Sequence, residues 1–383
     1  VVKYAALRKA RESRPDDVIA VLEASGLRGR GGAGFPVARK WKLARDADGD
    51  DKYVVANGGE HEPGSGKDRF LVTESPHRVL EGAAVCAWAT GAKKIYLYLI
   101  EDMEDAIASA RRAITEAKGE LGDLEVEVVL APTTYVAGEE TAALEVIEGR
   151  KAWPRKKPPY PGQAGLWGKP TTVNNVETFA YVPEIVEGGP DAFLPGRMHV
   201  TLDESFSKPG IYEVELGTTF RQVIYEHGGG PRGGGDIKAL LPAMSSPFLP
   251  GSALDVRMTH DDVKAVGSNL GCAGLSILEE GTCIVERAIA IAEFFMREQC
   301  GQCPPCRMET NTIAGVLKKV KVADAGDYRA QIQKITQFTA GKGNCSLIEM
   351  AAAPIVSALD LFPADFAHHA EHGTCAPGLS PSA

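Results

Sequence analysis

Three segments, Tyr53-Val-Val-Ala56, Lys94-Ile-Tyr-Leu-Tyr-Leu99 and Leu124-Glu-Val-Glu-Val-Val-Leu130, decide the reading of the N-terminal half. Each is strand-sized and rich in β-branched or aromatic residues. The stretches between them, roughly 76–90 and 102–118, read as helices. Strands alternating with helices predict a parallel sheet covered on both faces. A short amphipathic helix is expected upstream over 16–24, with Asp16 capping its start and Gly26 ending it. From Tyr135 to Thr178 the chain is rich in Gly, Pro and Lys without clear periodicity. Loops of that length usually carry function.

Open α/β sheets bind ligands at the carboxyl ends of their strands. Asn57-Gly-Gly-Glu-His-Glu-Pro-Gly-Ser-Gly-Lys-Asp-Arg69 leaves the first strand there. Asn57 suits the edge of a flavin, and Glu60 and Glu62 suit sugar hydroxyls or a nicotinamide amide. A solvated polar turn is the competing reading. Tyr135-Val-Ala-Gly-Glu-Glu-Thr141 leaves the third strand, so Gly138, Glu139 and Glu140 fall on the same side. Adjacent acids are also favoured at an ordinary helix N-terminus. Gly29-Arg-Gly-Gly-Ala-Gly34 matches G-x-G-x-x-G literally, but it follows a helix instead of a strand. Arg28, Arg30, Arg39 and Lys40 flank it, and Phe35-Pro36 ends it. Glycines admit a ring or a pyrophosphate, cations neutralise phosphate, and Phe35 offers a stacking face. A nucleotide or flavin loop is therefore expected, with a flexible linker as the alternative.

From about 197 to 278 the segments shorten to Val200–Leu202, Ile211–Val214 and Leu275–Leu278, with a helix over Phe220–Glu226, which predicts a small α+β domain. Gly228–Gly235 reads as a plain turn. Beyond 280 the chain turns helical. Ile284, Ala288, Ile291, Ala292 and Phe295 form one stripe, Ile313, Val316, Leu317 and Val320 a second, and Ile332, Ile335 and Phe338 a third. Ser346-x-x-Glu349 predicts a capping box opening a fourth helix, with a kink at Pro354. Four helices on one core imply a bundle.

Cys300, Cys303 and Cys306 lie in Glu298-Gln-Cys-Gly-Gln-Cys-Pro-Pro-Cys-Arg307, between the first two of these helices, and Cys345 sits at the mouth of the fourth. Three thiolates at C-x2-C-x2-C spacing plus one distant thiolate suit a cubane iron–sulfur cluster. Zinc usually takes two separated pairs, and it stays as the alternative with a disulfide arrangement behind it. Cys86, Cys272, Cys283 and Cys375 are scattered, and Cys86 reads as a core residue. The tail His368-His-Ala-Glu-His-Gly-Thr-Cys375 holds metal-ligand residue types at no standard spacing and reads as a frayed terminus.

The 383 residues suffice for two or three domains, and 44% hydrophobic content supports a full core. Lys plus Arg is 42 against 51 for Asp plus Glu, a net charge of −9 that disfavours non-specific nucleic-acid binding. No apolar run is long enough for a bilayer. Val1-Val2-Lys3 shows no signal peptide and no initiator Met, which points to a fragment of something longer. A reducing cytoplasm is the simplest compartment.

Taken together, Gly29–Pro36, Asn57–Arg69, Tyr135–Ala142, Gly165-Leu-Trp-Gly-Lys-Pro-Thr-Thr-Val-Asn-Asn-Val-Glu-Thr178 and the four cysteines carry a resemblance. From about residue 15 to 365 the chain resembles the NADH-oxidising flavoprotein subunit of respiratory complex I, NAD-reducing hydrogenases and NAD-linked formate dehydrogenases. The resemblance implies an FMN-binding α/β domain over 1–196, a ubiquitin-like β-grasp domain over 197–280, and a helical bundle over 281–383 holding one [4Fe–4S] cluster on Cys300, Cys303, Cys306 and Cys345. It implies FMN contacts at Gly29, Gly31, Gly32, Lys40, Asn57, Tyr135, Glu139, Asn174, Asn175 and Thr178. Arg30, Gly34, Glu60 and Gly138 join the cofactor-binding set. NADH would meet Phe35, Glu62 and Glu140, with Tyr160 as a stacking ring, and Glu62 and Glu140 would serve the hydride step.

The implied mechanism passes hydride from NADH to FMN, then single electrons to the cluster and on to partner subunits. A thioredoxin-like [2Fe–2S] subunit is the implied neighbour, in a cytoplasmic assembly at the periphery of a membrane complex, with no direct membrane insertion. Relatives read Asn-Ala-Asp-Glu where this chain has Asn57-Gly58-Gly59-Glu60, carry a small residue in place of His61, and often an aromatic in place of Leu43. An electron-relay or assembly subunit that has lost or altered nicotinamide binding is the alternative.

Overall fold

The structure, a computed structural model, describes residues 4–381. The reading of Val1-Val2-Lys3 lies outside them. The chain divides into two units. The first takes in the chain to His61, Ser65–His199 and Glu213–Leu216, and the second Glu62–Gly64, Val200–Tyr212 and the chain from Gly217.

The first unit opens with helices α1 (Ala5–Glu12), α2 (Pro15–Ala24) and α3 (Val37–Asp46). Strand β1 (Tyr53–Gly58), helices α4 (Lys67–Glu74) and α5 (Pro76–Thr90), and strand β2 (Lys94–Ile100) follow. Next come α6 (Glu104–Glu116), α7 (Lys118–Leu121), β3 (Glu125–Ala131), α8 (Glu140–Ile147), β4 (Thr171–Asn175) and α9 (Val176–Gly188). The four strands form one parallel sheet in the order β3-β2-β1-β4. Neighbouring residues of a strand point to opposite faces. Accordingly Val54, Ala56, Ile95, Leu97 and Leu99 join a large core with α1, α5 and α9. Val55, Tyr96, Tyr98 and Val173 join a smaller core with Ala143 and Leu144 of α8. Gly82 lets α5 lie against α9, since a Cβ there would fall 1.9 Å from the Phe179 carbonyl oxygen.

The expected strands and helices of this unit are present to within a few residues. Two readings change. Helix α2 starts at Pro15, whose missing N–H is no loss at the first helical position. Asp16 therefore sits inside the first turn and pairs with Arg45 at 2.9 Å instead of capping. Strand β4 has no counterpart among the expected elements. Thr-Thr-Val-Asn-Asn is too polar to signal a strand, and pairing with β1, from Tyr53↔Thr171 to Asn57↔Asn175, creates it.

A mixed sheet in the order β6-β5-β9-β7-β8 follows, from β5 (Arg197–Leu202), β6 (Gly210–Glu215), β7 (Ile237–Leu241), β8 (Leu249–Pro250) and β9 (Gly274–Glu279). Strand β9 runs parallel to β5 and antiparallel to β7. The expected helix over 220–226 is α10 (Phe220–Gln222), opened by a Thr219–Gln222 capping box and continued by a π turn, and α11 spans His260–Ala265. After β10 (Thr282–Cys283) come α12 (Ile284–Glu298), α13 (Pro304–Lys321), α14 (Tyr328–Thr339), α15 (Leu347–Leu361), α16 (Pro363–His372) and a short β11 (Ser380–Pro381). The expected capping box of α15 does not form. Ser346 makes no capping hydrogen bond, and Glu349 instead accepts from the Gly341 N–H at 3.0 Å. Helix α15 continues through Pro354. Among the described residues no single helix is long and apolar enough to cross a membrane.

Candidate functional site: a glycine-lined crevice and a four-cysteine cluster

The chain places β2 and β3 on one side of β1 and β4 on the other. Strand order therefore reverses between β1 and β4, the position at which open α/β sheets hold ligands. Asn57 and Asn175 are register partners at the carboxyl ends of those two strands. Asn57 donates to the Gly138 carbonyl at 2.9 Å and accepts from the Gly59 N–H at 3.0 Å. Asn175 donates to the Asn57 carbonyl at 3.2 Å and to Asp68 at 2.5 Å. Asn174 is buried, and its Oδ1 accepts from the Trp41 indole at 2.9 Å.

The glycine loop 26–36 closes on itself, with the Gly29 N–H donating to the Phe35 carbonyl at 2.9 Å. Gly32 and Gly34 have φ of 103° and 60°, which favour glycine. A Cβ on Gly31 would touch the Asn175 side chain at 3.3 Å, and one on Gly138 would fall 2.4 Å from the Gly59 carbonyl oxygen. Glycine at these positions lets the loop and the turn after β3 pack closely against the ends of β1 and β4. Arg30 is buried and does not present its guanidinium to a ligand: it donates to the carbonyls of Arg28 at 2.9 Å and Arg197 at 2.7 Å. The Arg30 N–H donates to Thr178 Oγ1 at 2.9 Å, so both residues lock the loop to α9.

Two acids at the start of α8 share Lys157, at 3.0 Å from each, and differ in their other partners. Glu139 caps the helix, accepting from the N–H groups of Thr141 at 2.8 Å and Ala142 at 2.9 Å. Glu140 lies between Lys40 at 2.9 Å and Lys157 at 3.0 Å. Burial opposes its ionisation, but the two ammonium groups outweigh it and hold its carboxyl below the usual range. Lys40 also donates to the Val173 carbonyl at 2.9 Å, which ties α3 to β4. Tyr135 opens the short 3₁₀ turn that carries Gly138.

Behind the crevice Lys67 is almost fully buried between Asp68 at 2.5 Å, Glu177 at 3.1 Å and Asn175 Oδ1 at 3.1 Å. Burial and the charge of Asp68 push the nearby Glu60 carboxyl up to about 7, where it accepts from Ser65 Oγ at 2.5 Å and the Asp68 N–H at 2.9 Å. Phe35 and Tyr160 are each half exposed. Glu62 falls in the second unit, where it accepts from the N–H of Ser245 at 3.0 Å and its hydroxyl at 2.8 Å. Sequence reasoning missed Trp41, Lys67, Asp68, Lys157, Glu177 and Ser245. Burial of Lys67 has no periodic signature, because a polar loop and a polar core read alike.

In the second unit Cys303 is the N-cap of α13, Pro304 follows at its first position, and Cys306 is buried one turn in. The Asn344 N–H donates to Cys303 Sγ at 3.3 Å, which brings the turn holding Cys345 to the loop. Burial pushes the Cys306 thiol up to about 12, and Cys345, Cys300 and Cys303 add to the rise. Sulfurs that repel one another's charge share one neighbourhood, and a bound cation reverses that penalty. The donor set fits iron.

Comparison with known proteins agrees with both halves of this picture. The Nuo51 FMN-binding domain matches residues 22–184, the SLBB domain 207–238, and the NADH-ubiquinone oxidoreductase-F iron-sulfur binding region 286–369. The second NADH-quinone oxidoreductase F subunit of Rhizobium meliloti (strain 1021) is 40% identical over 97% of this chain and 93% of its own. The chain belongs to the family of NADH-quinone oxidoreductase F subunits. The relative from Mycobacterium tuberculosis (strain ATCC 25618 / H37Rv), another NADH-quinone oxidoreductase F subunit, is 37% identical over 97% of this chain and 88% of its own. An NAD+-reducing [NiFe]-hydrogenase solved in the air-oxidised state matches with a TM-score of 0.89 at 27% identity, covering all of this chain and 66% of that one. This family member is thus an NADH dehydrogenase-type oxidoreductase subunit of a multisubunit complex, with an FMN-binding domain and a [4Fe–4S] region.

Proposed function

We propose that the crevice at the β1/β4 reversal is where NADH meets FMN, and that Cys300, Cys303, Cys306 and Cys345 carry the electrons onward. The observation that carries this is the convergence of a glycine-lined backbone, Lys40 and paired asparagines on one strand-order reversal. When bound, FMN accepts two electrons together and releases them singly, which matches nicotinamide to an iron–sulfur acceptor.

The chain's own residues position and shield. Gly29, Gly31, Gly32, Gly34 and Gly138 let backbone approach the flavin, and Lys40 offers a cation to its phosphate. Asn57, Asn174, Asn175 and Thr178 hold the floor, and Tyr135 and Glu139 shape one wall. Glu60, raised to about 7, can hold a proton near neutral pH. Phe35 and Tyr160 offer stacking faces to NADH, while Glu140 orients its nicotinamide end for hydride transfer.

In finer detail, residues 1–196 serve as the FMN/NADH domain, 197–280 as a β-grasp domain, and 281–383 as a helical bundle built on four of its helices. A thioredoxin-like [2Fe–2S] subunit takes up the electrons, in a cytoplasmic assembly at the edge of a membrane complex. The test is reduction of the FMN- and iron-loaded protein by NADH with an artificial acceptor. Bleaching of the flavin followed by acceptor reduction is expected, and a flavin inert to both NADH and NADPH rejects the proposal.

Gly59 favours a second reading, a relay subunit with altered nicotinamide binding. A Cβ at this position would come 3.0 Å from Asn57 Oδ1 and 3.1 Å from Tyr98, so the acid of the relatives does not fit this backbone without a shift. Calorimetry decides: tight NADH binding to the flavin-loaded protein excludes the relay.

A further inference from the structure

A second set of metal-ligating side chains lies outside the iron-binding cysteines. Cys283 ends β10 and caps α12, His369 lies in the last turn of α16, and Cys375 follows that helix. Their ligand atoms all lie within 4.8 Å of one another. Cys283 Sγ is 3.3 Å from His369 Nε2. Bonds of about 2.3 Å to sulfur and about 2.05 Å to nitrogen at tetrahedral angles make edges of roughly 3.5–3.8 Å, so the triangle has the size of a single-ion site.

Two further observations point the same way. His369 is 1% exposed, and its Nδ1 has no hydrogen-bond partner among the described residues. Burial keeps water from that ring, and Nε2, which faces the Cys283 thiol, is the nitrogen placed to take a cation. The tail is also built to present Cys375. Gly373 closes α16 with its N–H on the His369 carbonyl at 2.8 Å, and the Ser380 N–H donates to the Gly281 carbonyl at 2.7 Å as β11 pairs with β10. The segment expected to fray is held at both ends.

We propose that Cys283, His369 and Cys375 bind one zinc ion, with water in the fourth position, and that this ion fastens the C-terminal tail to the start of α12. Two thiolates and a neutral imidazole neutralise a divalent, borderline-soft cation. Binding displaces the two thiol protons to solvent and changes no oxidation state.

The experiment uses the full chain with its iron cluster in place, equilibrated with equimolar zinc and then desalted. Elemental analysis should find about one zinc per chain beside the iron. Zinc-edge X-ray absorption, to which iron is invisible, should show sulfur at about 2.3 Å and nitrogen at about 2.0–2.1 Å. Cys375→Ser should lower retained zinc at least tenfold while iron content and the reduced-cluster EPR signal stay unchanged. His369→Gln should do the same and serves if Cys375→Ser does not fold. Absence of retained zinc, undiminished zinc in both variants, or a Cys283–Cys375 disulfide in peptide mass mapping would each overturn the proposal. None of these outcomes bears on NADH oxidation.

Discussion

The two cofactor regions of this chain are finished to different degrees by the protein itself. In the first unit the charges behind the crevice have protein partners: Lys67 has Asp68 and Glu177, and Glu140 has Lys40 and Lys157. In the second unit Cys306 is buried beside three other thiols and is pushed up to about 12. The first arrangement is preorganised and needs only a ligand that fits. The second carries a charge penalty that a bound cation would lift, so metal binding should stabilise it. A flavin site can therefore outlast loss of the cluster.

The sharpest attack on this contrast is Cys345→Ser. It should remove nearly all cluster iron and its EPR signal while FMN stoichiometry, read by fluorescence after release, stays near wild type. Equal loss of both cofactors would erase the distinction between the units. Lys67→Met tests the other side. It strands Glu177 and Asp68 in the interior, and breaking a buried pair in this way costs about 3–5 kcal/mol. Denaturant unfolding should show that loss, and iron content should be unaffected.

Glu140→Gln is milder. It weakens the bridge from Lys40 to Lys157 and should lower kcat/KM for NADH about tenfold, or about 1.4 kcal/mol, with FMN retained. An unchanged kcat/KM would remove Glu140 from the nicotinamide site.

The smallest effect concerns Glu60. Its folded carboxyl is raised from 4.5 to about 7, so the folded state holds the proton more tightly than the unfolded chain. The resulting stabilisation is full below about pH 4.5 and is lost as the pH rises through about 7. The melting temperature of wild type minus that of Glu60→Gln should fall by roughly 2–4 °C between pH 5 and 8. A difference that rises with pH would mean that Lys67 keeps Glu60 ionised.

Legibility followed chemistry. The strands at Tyr53, Lys94 and Leu124 were readable because apolar runs between helices leave few alternatives. Strand β4 was unreadable because its residues are polar and only β1 makes them a strand. Arg30 looked like a phosphate ligand from its neighbours, yet its burial turns the guanidinium to two carbonyls. The tail histidines matched no spacing, and one of them meets Cys283 only because α16 returns to the start of α12.

The sequence by itself determined the alternation of strand and helix, the glycine loop, the spacing of the four cysteines and the family. These depend on local periodicity and on residue types that few chemistries share. Tertiary structure alone decided the strand order, the partners of each buried charge and the meeting of Cys283 with His369 and Cys375. Those depend on which distant segments exclude water together, and no local pattern encodes that.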